Sequence, residues 1–277
     1  MERSRRCPRP TRSAASSRSH PRSRAGTVHG ANHSHRASLP ARYLIVNADD
    51  FGADDGTTRG IILAHARGIV TSTSLMVDMP GARAAVRAAL AHPRLGLGLH
   101  VNFTAGARIP DPDDLGAQRR ELERQFDLFV ELTGRMPTHV DSHHHVHRKP
   151  EVAPAFVEFC RDRGVPLRGF SGVAYVGNFY GQWTVGTTDL RHISPEYLMS
   201  VLADLSPGVS ELACHPGNGD ARFDPAYDWQ RRIELDSLTD PRVRRTAARE
   251  GIRLISFAEC ARFASASRPV VARSVSA

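Results

Sequence analysis

Short β-branched runs that each stop at acidic or imidazole side chains recur from Tyr43 to Ser256, with stretches of helical spacing between them. This alternation constrains the fold more than any other feature. Tyr43-Leu44-Ile45-Val46 runs into Asn47-Ala48-Asp49-Asp50-Phe51-Gly52, a strand ending at polar residues and a glycine turn. Further strands are expected over 73–77, 95–103, 138–147, 165–167, 210–214 and 252–256. Helices are expected over 57–67, 82–91, 115–132, 151–163, 195–205 and 241–250, with Gly68 and Gly164 as stops. The glycine-rich and aromatic stretch 169–192 reads as a long loop.

About seven strands alternating with helices imply an α/β fold on a parallel sheet. Asp49-Asp50, His100-Val101-Asn102, the residues from Asp141 to His147, and His215 all fall at or just past strand ends. Polar residues converging from four strand ends is the pattern of a barrel, with its chemistry at the C-terminal face. A dinucleotide fold would place a Gly-rich turn after the first strand, and Asp49-Asp50-Phe51-Gly52 is not one.

The densest chemistry lies in Thr138-His139-Val140-Asp141-Ser142-His143-His144-His145-Val146-His147, which holds five of the 14 histidines. As one extended strand it would turn Val140 and Val146 to one side and His139, Asp141, His143, His145 and His147 to the other. That second face suits a metal; the plainer reading is a solvated His-rich loop. A catalytic divalent ion needs about three protein ligands and open positions. Asp50, His100 and His143 supply a carboxylate and two imidazoles from three strand ends. Asp49 can reach the same place if the backbone curls at Phe51-Gly52, leaving one carboxylate for the metal and one as a base. Paired aspartates at a strand end also serve as helix caps. His215, before Pro216-Gly217, is placed to act as a general acid, or is a turn residue.

Composition narrows the partners. The first 40 residues hold nine Arg and one acid, which accounts for the whole net charge of +8. The rest is neutral and shows no footprint for nucleic acid. Residues 1–40 lack the apolar side chains to offset their ordering entropy and are expected to be a disordered basic tail. A start codon assigned too far upstream is the favoured reading, beside a basic arm or an organellar transit segment. Residues 41–265 would form the barrel and 266–277 a flexible C-terminal tail. Cys7, Cys160, Cys214 and Cys260 are too scattered for a zinc knuckle or a disulfide framework, which suits a reducing, cytoplasmic compartment. No apolar run approaches a membrane span.

Together these segments resemble the YdjC-like carbohydrate deacetylases, the family of the chitooligosaccharide and hopanoid-associated deacetylases. The resemblance rests on Asn47-Ala48-Asp49-Asp50-Phe51-Gly52, Thr71-Ser72-Thr73-Ser74-Leu75-Met76, Gly98-Leu99-His100-Val101-Asn102, the His-rich stretch and His215-Pro216-Gly217. Gly251-Ile252-Arg253-Leu254-Ile255-Ser256-Phe257 is similar to the family's final strand. It spans about residues 42–262 and implies a distorted, incomplete (β/α) TIM-like barrel. It further implies one divalent metal (Mg or Zn) on Asp50, His100 and His143, with Asp49 as general base and His215 as general acid. The implied reaction is hydrolysis of an N-acetyl group from an amino sugar or glycolipid, releasing acetate; the partners considered are the N-acetylated sugar substrate and a second copy of the chain in a homodimer. One departure stands out: Phe103 to Leu115 passes directly into a helix where the family carries a longer segment, so a lid or substrate wall is shortened. Rival readings are phosphoester hydrolysis on the same site, iron(II) oxygen chemistry, and a non-catalytic barrel with a polyanion-binding tail. No Lys or Arg cluster at the strand ends suggests a phosphate clamp.

Overall fold

The computed structural model describes residues 41–105, 108–184, 187–219 and 223–264; both expected tails lie outside the described residues. The strands are β1 (Arg42–Phe51), β2 (Ser72–Leu75), β3 (Gly96–Val101), β4 (Val140–Ser142), β5 (Ala174–Val176), β6 (Gln182–Thr184), β7 (Thr187–Thr188), β8 (Gly208–Cys214) and β9 (Ile252–Leu254). Seven of them form one parallel sheet in the order β4-β3-β2-β1-β8-β5, with β9 paired to the start of β1. β6 and β7 form a separate antiparallel pair. The helices are α1 (Asp55–Arg67), α2 (Ala82–Leu90), α3 (Leu115–Thr133), α4 (Ala153–Arg163), α5 (Pro195–Ala203), α6 (Asp228–Thr239), α7 (Pro241–Arg249) and α8 (Phe257–Ala264). The result is a curled, incomplete α/β barrel, as the alternation of runs implies.

Period-two alternation builds its inside and outside. On β1, Leu44, Val46 and Ala48 join the large core under the helices, whereas Ile45 packs in a smaller cluster with Val209, Ile255, Phe257 and Cys260. Asn47 and Asp49 share the parity of Ile45, so the inner face rises from an apolar floor to polar groups at the strand end. Leu97, Leu99 and Val101 of β3 likewise enter the outer core, leaving Gly98 and His100 on the other face.

Several expectations are corrected. The His-rich strand stops at Ser142, because residues 143–148 wind into a 3₁₀ turn in which His144 and His145 take left-handed φ of 55° and 52°. The alternation of the stretch holds only through Asp141. Of the strand expected over 165–167, only Leu167 pairs, as an isolated bridge to Val140. The loop expected over 169–192 contains β5, β6, β7 and a 3₁₀ turn, Leu190–Ile193. Helices α6 and α8 have no counterpart among the expected elements.

Gly98 is required by a close approach. A Cβ there would collide with the ring of His139, which is buried and stacked on Phe257 with ring centroids 3.9 Å apart. Gly98→Ala is therefore expected to destabilise the fold by about 1–3 kcal/mol through overpacking. A denaturant midpoint equal to that of the unaltered chain would show that the ring yields freely.

Candidate functional site

The backbone curl that lets both aspartates face one pocket occurs at Asp50 itself. Its φ is 66°, and the pairing of β1 with β2 shifts register between Ala48 and Phe51. A non-glycine residue here costs of order 1–3 kcal/mol and persists where its surroundings over-determine it. Neither aspartate caps the next helix. Asp54 does, its Oδ1 accepting from the Thr57 amide at 2.7 Å.

Asp50 Oδ1 lies 3.2 Å from His100 Nε2 and 3.1 Å from His143 Nδ1. Ligand atoms of the three residues all lie within 4.8 Å of one another. Asp50 and His100 are buried, and His143 is partly open to the pocket. The other nitrogen of His100 is held by Asp141 Oδ1 at 2.7 Å, so the ring is oriented by a carboxylate with Nε2 aimed at Asp50. Neither Asp50 Oδ1 nor His100 Nε2 makes a hydrogen bond of good geometry, although both are buried. Burial opposes a charge on His100, but Asp141, Asp50 and Asp49 outweigh it and push its pKa up to about 10. A pocket that draws a positive charge this strongly, with orphaned N and O atoms converging, fits a divalent cation.

A second group, Asp49, His100 and Asp141, also converges. Its cation is already present in the chain: Arg168, fully buried, reaches both oxygens of Asp49, Asp141 Oδ2 and Glu211 Oε1, each at 2.7 Å. Burial alone would raise the pKa of Asp49, but Arg168 overrides it and holds the carboxylate below its usual value. Asp141 is lowered in the same way, against burial, by Arg168 and His100.

His215 follows β8 and faces Asp49, its Nε2 3.9 Å from Asp49 Oδ2 and its Nδ1 3.9 Å from Glu234 Oε1. Burial pulls its pKa down to about 4 despite Asp49 and Asp50, and pushes that of Glu234 up to about 7. Arg231 of α6 donates from Nη2 to Asp50 Oδ2 at 2.7 Å. These groups surround a cavity of about 340 Å³ whose walls also include His144, His145, Tyr175, Tyr180 and Asp224.

The structure thus brings Asp49, Asp50, His100, His143 and His215 into one pocket. His145 reaches it too, bonded to the Tyr175 hydroxyl at 3.0 Å. His139, Asp141 and His147 instead lie buried beneath. Arg168, Arg231, Glu211 and Glu234 are not among the residues singled out from the sequence, which shows no Lys or Arg cluster at the strand ends, yet two guanidinium groups sit at the pocket. Arg168 had a signal, since it directly follows the short run Val165-Pro166-Leu167 and is therefore a charge at a strand end. Arg231 and Glu234 lie on a helix distant in sequence and had none.

Most of the chain is similar in sequence to known proteins. The family described as YdjC-like protein matches residues 43–249. The chain belongs to that family. It is 36% identical over 248 residues to a carbohydrate deacetylase of Geobacillus stearothermophilus, an alignment covering 79% of this chain and 98% of the relative. It is 34% identical to a chitooligosaccharide deacetylase of Serratia marcescens, covering 78% and 98%. A crystal structure from Enterococcus faecalis V583, named for cellobiose-phosphate cleavage, superposes with a TM-score of 0.68 at 26% identity, covering 78% of this chain and 98% of the other. A family 4 carbohydrate esterase from Streptomyces lividans shares the fold at a TM-score of 0.50 and 14% identity, covering 78% and 93%.

The buried imidazoles set a pH dependence of stability. His139, His145 and His215 are each lowered by burial to about 4 and His147 to about 3. Below the ordinary 6.5 the unfolded chain binds protons that these four rings refuse, so stability is lost as pH falls toward 4. Glu211 and Glu234, both held near 7 by burial, act oppositely between 4.5 and 7, because the folded state keeps protons that the unfolded state releases. The raised His100 acts only above 6.5. Four groups against two leave a net loss, so the denaturation midpoint of metal-free protein should fall between pH 6.5 and 5. A level or rising midpoint would mean that these rings are charged in the folded state.

Proposed function

We propose that this chain is a metal-dependent hydrolase of carbon–nitrogen bonds that removes the N-acetyl group from an amino sugar, releasing acetate. The observation that carries it is the placement of a second carboxylate, Asp49, and a histidine, His215, beside the converging Asp50, His100 and His143. Relatives named for carbohydrate and chitooligosaccharide deacetylation support the substrate class. In this reading Asp50, His100 and His143 hold the cation, and two imidazoles with one carboxylate suit zinc better than magnesium, which favours oxygen ligands. When bound, the ion polarises the acetyl carbonyl and acidifies a water.

The chain's own residues handle the protons. Asp49, kept ionised by Arg168, accepts the proton of the attacking water. His215 delivers a proton to the departing nitrogen, which would otherwise leave as an unstable amide anion. Because burial keeps its ring neutral near pH 7, the proton must reach His215 during turnover, and Asp49 Oδ2 at 3.9 Å is the neighbouring source. Phosphoester hydrolysis is less well served, since Arg168 and Arg231 already face carboxylates rather than an open phosphate position. Three buried unpaired cysteines, Cys160, Cys214 and Cys260, support a reducing compartment, for which we propose the cytoplasm. No described helix is long and apolar enough to cross a membrane.

Acetate release from a panel of N-acetylated sugars, with and without added Zn²⁺ or Mg²⁺, tests the reading; no release from any of them with either ion sinks it. Neighbouring aspartates should fail differently. Asp50→Asn should lose metal and activity together, with partial recovery at high metal concentration. Asp49→Asn should keep its metal and lose turnover on the order of 10² to 10⁴-fold, without rescue by metal. If Asp49→Asn proves metal-depleted and rescuable instead, the two roles are exchanged. His215→Ala should also stay metal-replete, and its defect should shrink on an activated acetate ester, whose leaving group needs no proton. An equal defect on both substrates would remove His215 from the acid role.

A further inference from the structure

The metal reading above leaves Arg231 unexplained. It is a buried cation placed against the carboxylate assigned to hold another cation, an arrangement that weakens ion binding by direct repulsion. The two buried arginines of the pocket differ. Arg168 shares its charge among Asp49, Asp141 and Glu211. Arg231 donates from Nη2 to Asp50 Oδ2, while its Nε and Nη1 are buried without a hydrogen-bond partner among the described residues. Its charge therefore falls mainly on Asp50.

The placement is built into the backbone. Gly217, just past His215, lies over the side chain of Arg231, where an added Cβ would come within 3.0 Å of Arg231 Cβ. Its amide donates to the Arg231 carbonyl at 3.0 Å. On its far side a Cβ on Gly60 of α1 would meet Gly217 Cα at 2.5 Å. Two glycines thus allow α1, the turn after β8 and α6 to stack closely enough to set the guanidinium on Asp50.

We propose that Arg231 is a positioning residue that occupies one oxygen of Asp50, so that only Oδ1, facing His100 and His143, is offered to a divalent cation. It lowers the affinity of the site and in return keeps coordination positions free for water and substrate.

The test is calorimetric titration of Zn²⁺ into the metal-free full chain, comparing the unaltered protein with Arg231→Met and Arg231→Gln. Arg231→Met keeps the packing but drops the charge and the hydrogen bond, and its Kd should tighten on the order of tenfold or more. Arg231→Gln keeps a donor for Asp50 and should fall between the two, which also carries the test if the methionine variant does not fold. In Co²⁺-loaded protein the visible absorption should weaken in Arg231→Met, as the second oxygen of Asp50 joins and the coordination number rises. kcat should fall with the tighter binding. An unchanged or weaker Kd in both variants overturns the role of Arg231 alone. An unaltered chain that takes up no divalent cation overturns it together with the metal reading.

Discussion

Everything at the strand ends depends on one buried guanidinium. Arg168 lies in the segment between Leu167, which bridges β4, and β5, which pairs with β8. It thus sits where the two edges of the curled sheet come round toward each other. Its contacts reach Asp49 on β1, Asp141 on β4 and Glu211 on β8. Charge-assisted, partly bidentate bonds inside a low-dielectric interior are strong, and removing one partner would strand several buried charges at once. Among the described residues no ladder pairs β4 with β5, and there the ion pairs of Arg168 link the strand ends.

The same contacts set the roles of neighbouring carboxylates. Asp49 and Asp50 are chemically identical, but each has its own arginine, and it is Asp50 whose Oδ1 lies between His100 and His143. Asp141 takes a third role, orienting His100 through Nδ1 while accepting from Ser74 Oγ at 2.9 Å and from Arg168. Carboxylates left without a full cationic partner, Glu211 and Glu234, respond to burial by rising to about 7. Charge in this interior is placed one partner at a time.

Backbone strain gathers at the same spot. Asp50, His144 and His145 are the described non-glycine residues with positive φ, and all three line the pocket. Each is held by side-chain contacts: Asp50 by Arg231, His144 by Thr104 Oγ1 at 2.9 Å, and His145 by Tyr175. Regular strand geometry would send consecutive side chains to opposite faces. The left-handed residues are what allow adjacent ones to share a cavity.

The sequence by itself determined the parallel α/β alternation and the strand-end positions of Asp50, His100 and His215. These follow from local periodicity and from where apolar runs stop, both properties of a few neighbouring residues. The sorting of Leu44 and Val46 from Ile45 within a uniformly apolar run came instead from packing. Tertiary structure decided that the His-rich stretch breaks after Ser142, because partners distant in sequence, Thr104 and Tyr175, hold the left-handed His144 and His145, with Ser142 Oγ closing the turn locally on His147. It also decided that Arg231 and Glu234 enter the site. Both come from a helix about 180 residues beyond Asp50, and their approach needs the Gly60–Gly217 contact. No local pattern encodes such a meeting, because its physical cause is close packing between segments that sequence spacing does not relate.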